Sequence, residues 1–116
     1  MKTLLWLDDE RNPHSNTWQY WLFNNVINID QYEIKWVRNY QEFKNYVVII
    51  GMPNVICFDH DLGVAKSGYD AAKWLTEYCM DYNYDLPIYY IQSANPVGAA
   101  NIHGLFNSFK KFHAKK

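Results

Sequence analysis

The chain has 116 residues, of which 49% are hydrophobic and 18% aromatic; this predicts one globular domain over 1–116 and argues against a disordered chain. Its formal net charge of −1 provides no basic field for binding duplex DNA through phosphates, while a small charged or nucleotide-like ligand stays open. The apolar run 4–7 is too short for a signal peptide or a membrane span. We therefore expect no membrane partner and a cytoplasmic protein, in the host cytoplasm if a phage encodes it.

Apolar runs alternate with helical patterns along the chain. The predicted elements are, in chain order, a strand 3–7, a helix 17–26, a strand 33–39, a helix 40–50, a strand 55–58, a helix 67–83, a strand 86–95 and a helix 95–112. Because parallel neighbours need a crossover between them, this alternation favours a doubly wound parallel α/β sheet. Cys57 and Cys79 lie in apolar surroundings without CxxC spacing, which favours buried, reduced thiols over a disulfide or a zinc site.

Polar residues follow three of the predicted strands at the point where each strand ends. The segments are Asp8-Asp9-Glu10 after the first strand, Asp59-His60-Asp61 after the third and Gln92-Ser93-Ala94-Asn95 in the fourth. In a parallel sheet the carboxyl ends meet at one edge, which is where ligands bind. The sequence therefore predicts a polar site at this edge.

The acidic residues of this edge predict a divalent metal site. Asp8, Asp9 and Asp59 would bring carboxylates from adjacent strands close together, and like charges so near each other either raise one another's pKa or recruit a cation. Hard oxygen ligands favour Mg²⁺ or Mn²⁺ over zinc. For Asp8 or Asp9 alone, capping of the following turn is an equally good interpretation.

His60, between two aspartates, has the setting that a general acid or base needs near neutral pH. We expect Asp61 to orient the reacting groups. A structural role for His60 stays open, because neighbours in an extended segment point to opposite faces.

Residues 93–101 resemble a phosphate cradle, in which a hydroxyl, amides and a glycine-containing turn open a helix. The alternative is helix capping, with Asn95 as the cap and Pro96 in the first turn. The candidate ligand-binding residues are Ser93, which we also count as catalytic, together with Asn95, Gly98, Asn101 and Arg11.

Four motifs together resemble the response-regulator receiver fold, and most closely its divergent branch, the cyclic-phosphate processing receiver-like domain. They are LWLDDER, CFDHDLG, SGYDAAKWL and IQSANPVG, at 5–11, 57–63, 67–75 and 91–98. The resemblance implies a three-layer receiver/flavodoxin-like α/β fold with a parallel sheet of four to five strands in the order 2-1-3-4. We expect the fold to be truncated at its C-terminal end, because no apolar strand followed by Lys comes after Ser93.

In receivers an acidic pair binds magnesium, an aspartate accepts a phosphoryl group and a Ser or Thr contacts the phosphate. The resemblance places these roles on Asp8 and Asp9, on Asp59 and on Ser93. The divergent branch implies metal-assisted hydrolysis of cyclic phosphates, either 2′,3′-cyclic ends of RNA or cyclic nucleotides, in RNA repair or phage–host conflict. The branch often has His at the position of Gln92 and a basic residue near Ala99.

These two departures keep a second reading open, a catalytically inactive pseudo-receiver that binds a ligand or a protein partner of unknown identity. A conventional phospho-accepting regulator ranks lowest, because the Lys of the fifth strand is missing.

Overall fold

The structure, a computed structural model, describes residues 2–59, 67–92 and 95–114, in which strands and helices alternate. The strands are β1 (Lys2–Leu7), β2 (Tyr32–Val37), β3 (Val55–Phe58) and β4 (Ile88–Ile91). The helices are α1 (Asn16–Asn25), α2 (Tyr40–Ile49), α3 (Gly68–Tyr82) and α4 (Pro96–Ala114). A short 3₁₀ turn (Ile29–Gln31), which the sequence did not predict, precedes β2.

All pairs in the sheet are parallel and the strand order is β2-β1-β3-β4, which confirms the predicted order. The register aligns the last residues of the four strands, because Leu7 pairs with both Val37 and Phe58, and Phe58 pairs with Ile91. The chain therefore leaves every strand at the same level. The residues that directly follow the four strands therefore lie at one edge of the sheet.

Side chains of the two central strands alternate between two apolar clusters, as the two-residue period of a strand requires. Leu4 and Trp6 of β1 pack with α1 on one face, where Leu22 is buried and Trp18 and Trp21 pack against the cluster. The opposite face, from Leu5, Leu7, Ile56 and Phe58, packs against α2, α3 and α4. The result is the predicted three-layer α/β fold.

Local sequence signals set the starts of three helices. Asn39 caps α2 by accepting a hydrogen bond from the Glu42 N–H at 2.8 Å, and Ser67 with Asp70 forms a capping box that opens α3. Pro96 is the first residue of α4, where its missing N–H costs nothing. These caps place the N-termini of the helices at the edge where the strands end.

The length of β4 differs from the sequence-based expectation, while the number of strands agrees with it. β4 is shorter than predicted, since it begins at Ile88, after Pro87, and ends at Ile91. The sheet has four strands, with no fifth strand in residues 2–59, 67–92 and 95–114. Over the same ranges no helix has both the length and the apolar character that crossing a bilayer requires.

Both cysteines are buried and free, as the sequence predicts. Burial disfavours the thiolate, so it raises the pKa of Cys57 well above its ordinary value and raises the pKa of Cys79 to about 11. Both thiols are therefore protonated in the folded protein at neutral pH.

We predict that the free energy of unfolding falls as the pH rises from about 9 to 10. Unfolded thiols ionise in this range while the folded ones keep their protons, so the unfolded state binds fewer protons and gains stability with pH. The loss between pH 9 and pH 10 is about 1 kcal/mol per thiol. Urea unfolding followed by circular dichroism at pH 7, 9 and 10 measures it. Cys57→Ala and Cys79→Ala should each flatten the pH dependence, and an unchanged slope in both would contradict the prediction.

Candidate functional site

Three polar side chains lie at the edge where the strands end. Asp8, Asp59 and Gln92 are each the first residue after a strand, and each donates its backbone N–H to the carbonyl of the last residue of a neighbouring strand, at 3.0–3.1 Å. The sheet ladder thus continues one residue past the strands and fixes all three backbones. The three residues are almost fully buried, with 0%, 4% and 5% exposure.

One carboxylate oxygen of Asp8 accepts hydrogen bonds within the loop after β1, and the other points toward the site. Its Oδ1 accepts hydrogen bonds from the N–H groups of Glu10 and Arg11, at 3.0 and 2.9 Å, which closes the turn after β1. Its buried Oδ2 has no hydrogen-bond partner within the described part of the chain. The turn-capping interpretation of Asp8 therefore applies to Oδ1, and a role of Oδ2 in binding a metal stays a prediction.

Asp8, Asp9 and Asp59 form the carboxylate cluster of this edge. One carboxylate oxygen from each lies within 4.8 Å of the other two. Asp8 Oδ2 is buried without a hydrogen bond among the described residues, so its charge depends on a nearby cation for stabilisation, and hard anionic oxygens are the donors that Mg²⁺ and Mn²⁺ prefer. The donor set therefore fits a divalent cation of this class, as the sequence predicts.

Arg11, a predicted ligand-binding residue, contacts this cluster directly. Its Nη1 lies 3.3 Å from Asp59 Oδ1 and 3.5 Å from Asp8 Oδ2, the latter an ion-pair contact without hydrogen-bond geometry. The guanidinium also lies over the Trp18 ring, 5.2 Å from its centroid, and the side chain is 27% exposed. Arg11 thus supplies positive charge to two carboxylates that are otherwise enclosed.

Three side chains that the sequence analysis did not single out hold the backbone of the loop after β1. Trp36 Nε1 donates to the Asp8 carbonyl at 2.8 Å, and Arg38 Nη2 donates to the Asp9 carbonyl at 2.9 Å. Trp6 Nε1 donates to the carbonyl of Arg11 at 2.8 Å. The Arg38 guanidinium also stacks on the Trp36 ring, 4.9 Å from its centroid. Hydrogen bonds to the backbone carbonyls of Asp8 and Asp9 restrict the positions of the carboxylates that these two residues carry.

We predict that Trp36→Phe lowers the affinity for Mg²⁺ by about three- to tenfold. Phenylalanine keeps a ring beside Arg38 but cannot donate to the Asp8 carbonyl, and such a hydrogen bond contributes about 1 kcal/mol. Titration calorimetry measures the affinity. Trp74→Phe, on α3 in contact with Phe43 and Tyr78, is the matched control and should bind Mg²⁺ as the wild type does. Equal affinity in the two variants would remove Trp36 from the site.

The structure assigns Asn95 a capping role at the start of α4. Its Oδ1 accepts a hydrogen bond from the Gly98 N–H at 3.0 Å, and its carbonyl accepts one from the Ala99 N–H at 2.9 Å. Gly98 is buried, and Asn101 is exposed one turn further along the helix. The capping interpretation thus accounts for Asn95 and Pro96, and a role of Asn95, Gly98 and Asn101 in binding a substrate stays a prediction.

Three predicted catalytic residues, His60, Asp61 and Ser93, lie outside the described residues. Gln92, next to Ser93, is described: its Nε2 donates to the Leu7 carbonyl at 3.1 Å, and its buried Oε1 has no hydrogen-bond partner among the described residues. The described part of the site is thus the carboxylate cluster, Arg11 and Gln92.

The family model described as "Cyclic-phosphate processing Receiver domain" matches residues 3–108. No curated protein matches the chain significantly. One similar solved structure is a fusion that contains amino acids 181–211 of the yeast Spc42 trimeric coiled coil; its TM-score is 0.57 at 18% identity, over 90% of this chain. The match spans 61% of that structure's chain, and the likeness extends to the fold alone.

A second similar structure is the N-terminal domain of a response regulator/sensory box/GGDEF 3-domain protein from Carboxydothermus hydrogenoformans. It is 16% identical, with a TM-score of 0.49, over 95% of this chain and 98% of that chain.

Proposed function

The chain belongs to the cyclic-phosphate processing receiver domain family, and on that premise we propose that it is a metal-assisted phosphoesterase that opens cyclic phosphates. The observation that supports this best is the buried Asp8 Oδ2, which has no hydrogen-bond partner among the described residues and lies in a cluster with Asp9 and Asp59. The proposed substrates are 2′,3′-cyclic phosphate ends of RNA or cyclic nucleotides.

In the proposed reaction water adds to phosphorus, the bond from phosphorus to one ribose oxygen breaks, and that oxygen takes a proton. The product is a phosphomonoester. A divalent cation held by Asp8, Asp9 and Asp59 would act as a Lewis acid on the phosphate oxygens. Arg11 lies beside these carboxylates with a partly exposed guanidinium, a group suited to binding phosphate oxygens.

The remaining catalytic roles that we propose belong to residues outside the described ranges. His60 directly follows Asp59 in the chain and would move the proton between water and the leaving ribose oxygen. Asp61 would orient the reacting groups, and Ser93 would hold a phosphate oxygen. Asn95, Gly98 and Asn101 at the start of α4 complete the proposed binding residues.

A pseudo-receiver that binds a ligand without turnover is the second candidate, and Gln92 is the observation that favours it. The family often has a basic, ionisable His at this position. Here a neutral amide is buried and donates to the Leu7 carbonyl. An amide cannot take up or release a proton near neutral pH, so any proton transfer assigned to this position would be lost.

The experiment that separates the two candidates is a turnover screen with Mg²⁺ or Mn²⁺. The substrates are 2′,3′-cyclic and 3′,5′-cyclic mononucleotides, cyclic oligonucleotides and RNA with a 2′,3′-cyclic end. Opening of a terminal or mononucleotide cyclic phosphate creates a monoester that added phosphatase converts to inorganic phosphate, and mass spectrometry detects the opening of every substrate. Turnover supports the phosphoesterase. Tight binding of one substrate without turnover supports the pseudo-receiver.

The same screen extends to the conventional phospho-accepting regulator. After incubation with acetyl phosphate and Mg²⁺, a stable phosphoryl group on Asp59, read by mass spectrometry, would favour that class instead.

We propose the cytoplasm as the place of action, a setting that free, buried Cys57 and Cys79 support. RNA repair and phage–host conflict are the proposed contexts.

A further inference from the structure

The contacts of Arg11 place a positive charge where the divalent cation of the proposed function would bind. Nη1 lies 3.3 Å from Asp59 Oδ1 and 3.5 Å from Asp8 Oδ2, so one nitrogen bridges carboxylates from two different strands. Asp8 and Asp59 are 0% and 4% exposed, so water contributes little to stabilising their charges. Within the described residues, the guanidinium is the cation that ion-pairs with both of them.

We propose that Arg11 is a built-in counter-ion that a divalent cation displaces, and that the displaced guanidinium then binds the phosphate of the ligand. This inference rests on the proposed metal site. It adds an exchange in which the same side chain first neutralises the carboxylates and then contacts the substrate.

The distances around Nη1 indicate why the two cations would exclude each other. Nη1 lies 3.3 and 3.5 Å from its two carboxylate partners, and one oxygen from each of Asp8, Asp9 and Asp59 lies within 4.8 Å of the other two. Mg²⁺ binds oxygen ligands at about 2.1 Å. An ion held by Asp8 and Asp59 would therefore occupy the space beside the oxygens that Nη1 contacts, and the two positive charges would repel each other.

The contacts of Arg11 also divide it into a fixed part and a releasable part. Its backbone is held by short hydrogen bonds, from its N–H to Asp8 Oδ1 at 2.9 Å and to its carbonyl from Trp6 Nε1 at 2.8 Å. Within residues 2–59, 67–92 and 95–114 the contacts of the guanidinium are longer, including the one over Trp18, and its side chain is 27% exposed. The guanidinium can therefore leave the carboxylates for the solvent side while the loop that carries Asp8 stays in place.

The exchange predicts that removing Arg11 raises the affinity for Mg²⁺, whereas removing a residue that helps to bind the ion would lower it. Arg11→Gln should bind Mg²⁺ about tenfold more tightly than the wild type, because the ion no longer competes with a positive charge for Asp8 and Asp59. In the presence of saturating Mg²⁺, the same variant should bind inorganic phosphate about tenfold more weakly. Arg11→Lys keeps the charge and should stay within about threefold of the wild type in Mg²⁺ affinity.

Titration calorimetry on the full chain tests this without any cyclic phosphate, so it is independent of the turnover screen. Lys2→Gln, which removes the same charge at the opposite end of β1, is the matched control and should leave both affinities unchanged. Circular dichroism checks that each variant is folded. If Arg11→Gln is unfolded, Arg11→Met takes its place.

The proposal is overturned if the neutral Arg11 variant binds Mg²⁺ equally or more weakly than the wild type, if Lys2→Gln tightens binding as much, or if neither wild type nor variant binds Mg²⁺. Tighter Mg²⁺ binding in a protein that turns over no cyclic phosphate would retain the exchange and remove the phosphoesterase.

Discussion

Asp59→Asn is expected to weaken Mg²⁺ binding at least about 10–100-fold and to abolish turnover of any cyclic phosphate that the wild type hydrolyses. Loss of a group that hydrogen-bonds directly to a metal-binding side chain commonly costs this much, so loss of a ligand charge should cost no less. Asp59 is 4% exposed and lies in the carboxylate cluster with Asp8 and Asp9. Asparagine preserves its shape while removing its charge. Titration calorimetry gives the affinity, and the phosphatase-coupled assay gives the turnover.

The matched control is Asp81→Asn, which removes the same charge from an exposed position near the end of α3. Because α3 starts at the edge where the strands end, its last turn lies at the opposite end of the sheet. The control should bind Mg²⁺ and turn over substrate as the wild type does. Equal Mg²⁺ affinity in Asp59→Asn and the wild type would remove the metal site and the mechanism built on it.

Asp59 is a cleaner position for this test than Asp8. One oxygen of Asp8 accepts the N–H groups of Glu10 and Arg11, so Asp8→Asn would disturb the turn as well as the cluster. A loss of affinity in Asp8→Asn would therefore mix two causes. The backbone of Asp59 is fixed by the hydrogen bond from its N–H to the Leu7 carbonyl, which Asp59→Asn leaves in place.

The fold could be predicted from the sequence because the signals for it are local and repeat along the chain. The four residues 55–58 are all buried, as expected for a strand covered on both faces. In α1, Trp18, Trp21 and Leu22 share one helical face, and that face packs on the sheet. Once strands and helices alternate, the carboxyl ends of the strands have to meet, and this places Asp8 near Asp59 before any coordinate is known.

Two of the three supports of the site could not be predicted, because they depend on contacts between distant parts of the chain. Trp36 and the Asp8 carbonyl are 28 positions apart, and Arg38 and the Asp9 carbonyl are 29 apart. A tryptophan in an apolar pattern predicts a core residue, and the pattern carries no information about the direction of its indole N–H. The ion pairs of Arg11 could not be predicted either, because the sequence shows only that a cationic residue lies near acidic residues in the chain.

Asn95 illustrates a different limit. Its sequence context, Asn-Pro at the start of a helix, suits both a helix cap and a turn that binds phosphate, because both use the free N–H groups of the first turn. The structure shows that Asn95 Oδ1 accepts the Gly98 N–H. Local sequence identified the right groups, and the choice between their partners required the backbone geometry.

The second large effect is expected at His60, the residue directly after Asp59. Both Asp59→Asn and a His60 variant should lose turnover, but for different reasons. Mg²⁺ and Mn²⁺ prefer oxygen ligands, and the carboxylate cluster supplies them without an imidazole. The affinity for the metal is therefore the measurement that separates the two residues.

We predict that His60→Ala lowers kcat for a cyclic-phosphate substrate by about 10²–10⁴-fold, the usual contribution of a general acid or base, while Mg²⁺ affinity stays within about twofold of the wild type. The phosphatase-coupled assay and titration calorimetry on the same preparation measure the two quantities. His103→Ala is the control, because His103 is exposed on α4 and bonds to the Tyr89 hydroxyl instead of facing the carboxylates. Full activity in His60→Ala would leave Asp59-His60-Asp61 without a proton-transfer role. Loss of Mg²⁺ binding together with kcat would instead make His60 part of the support of the metal site.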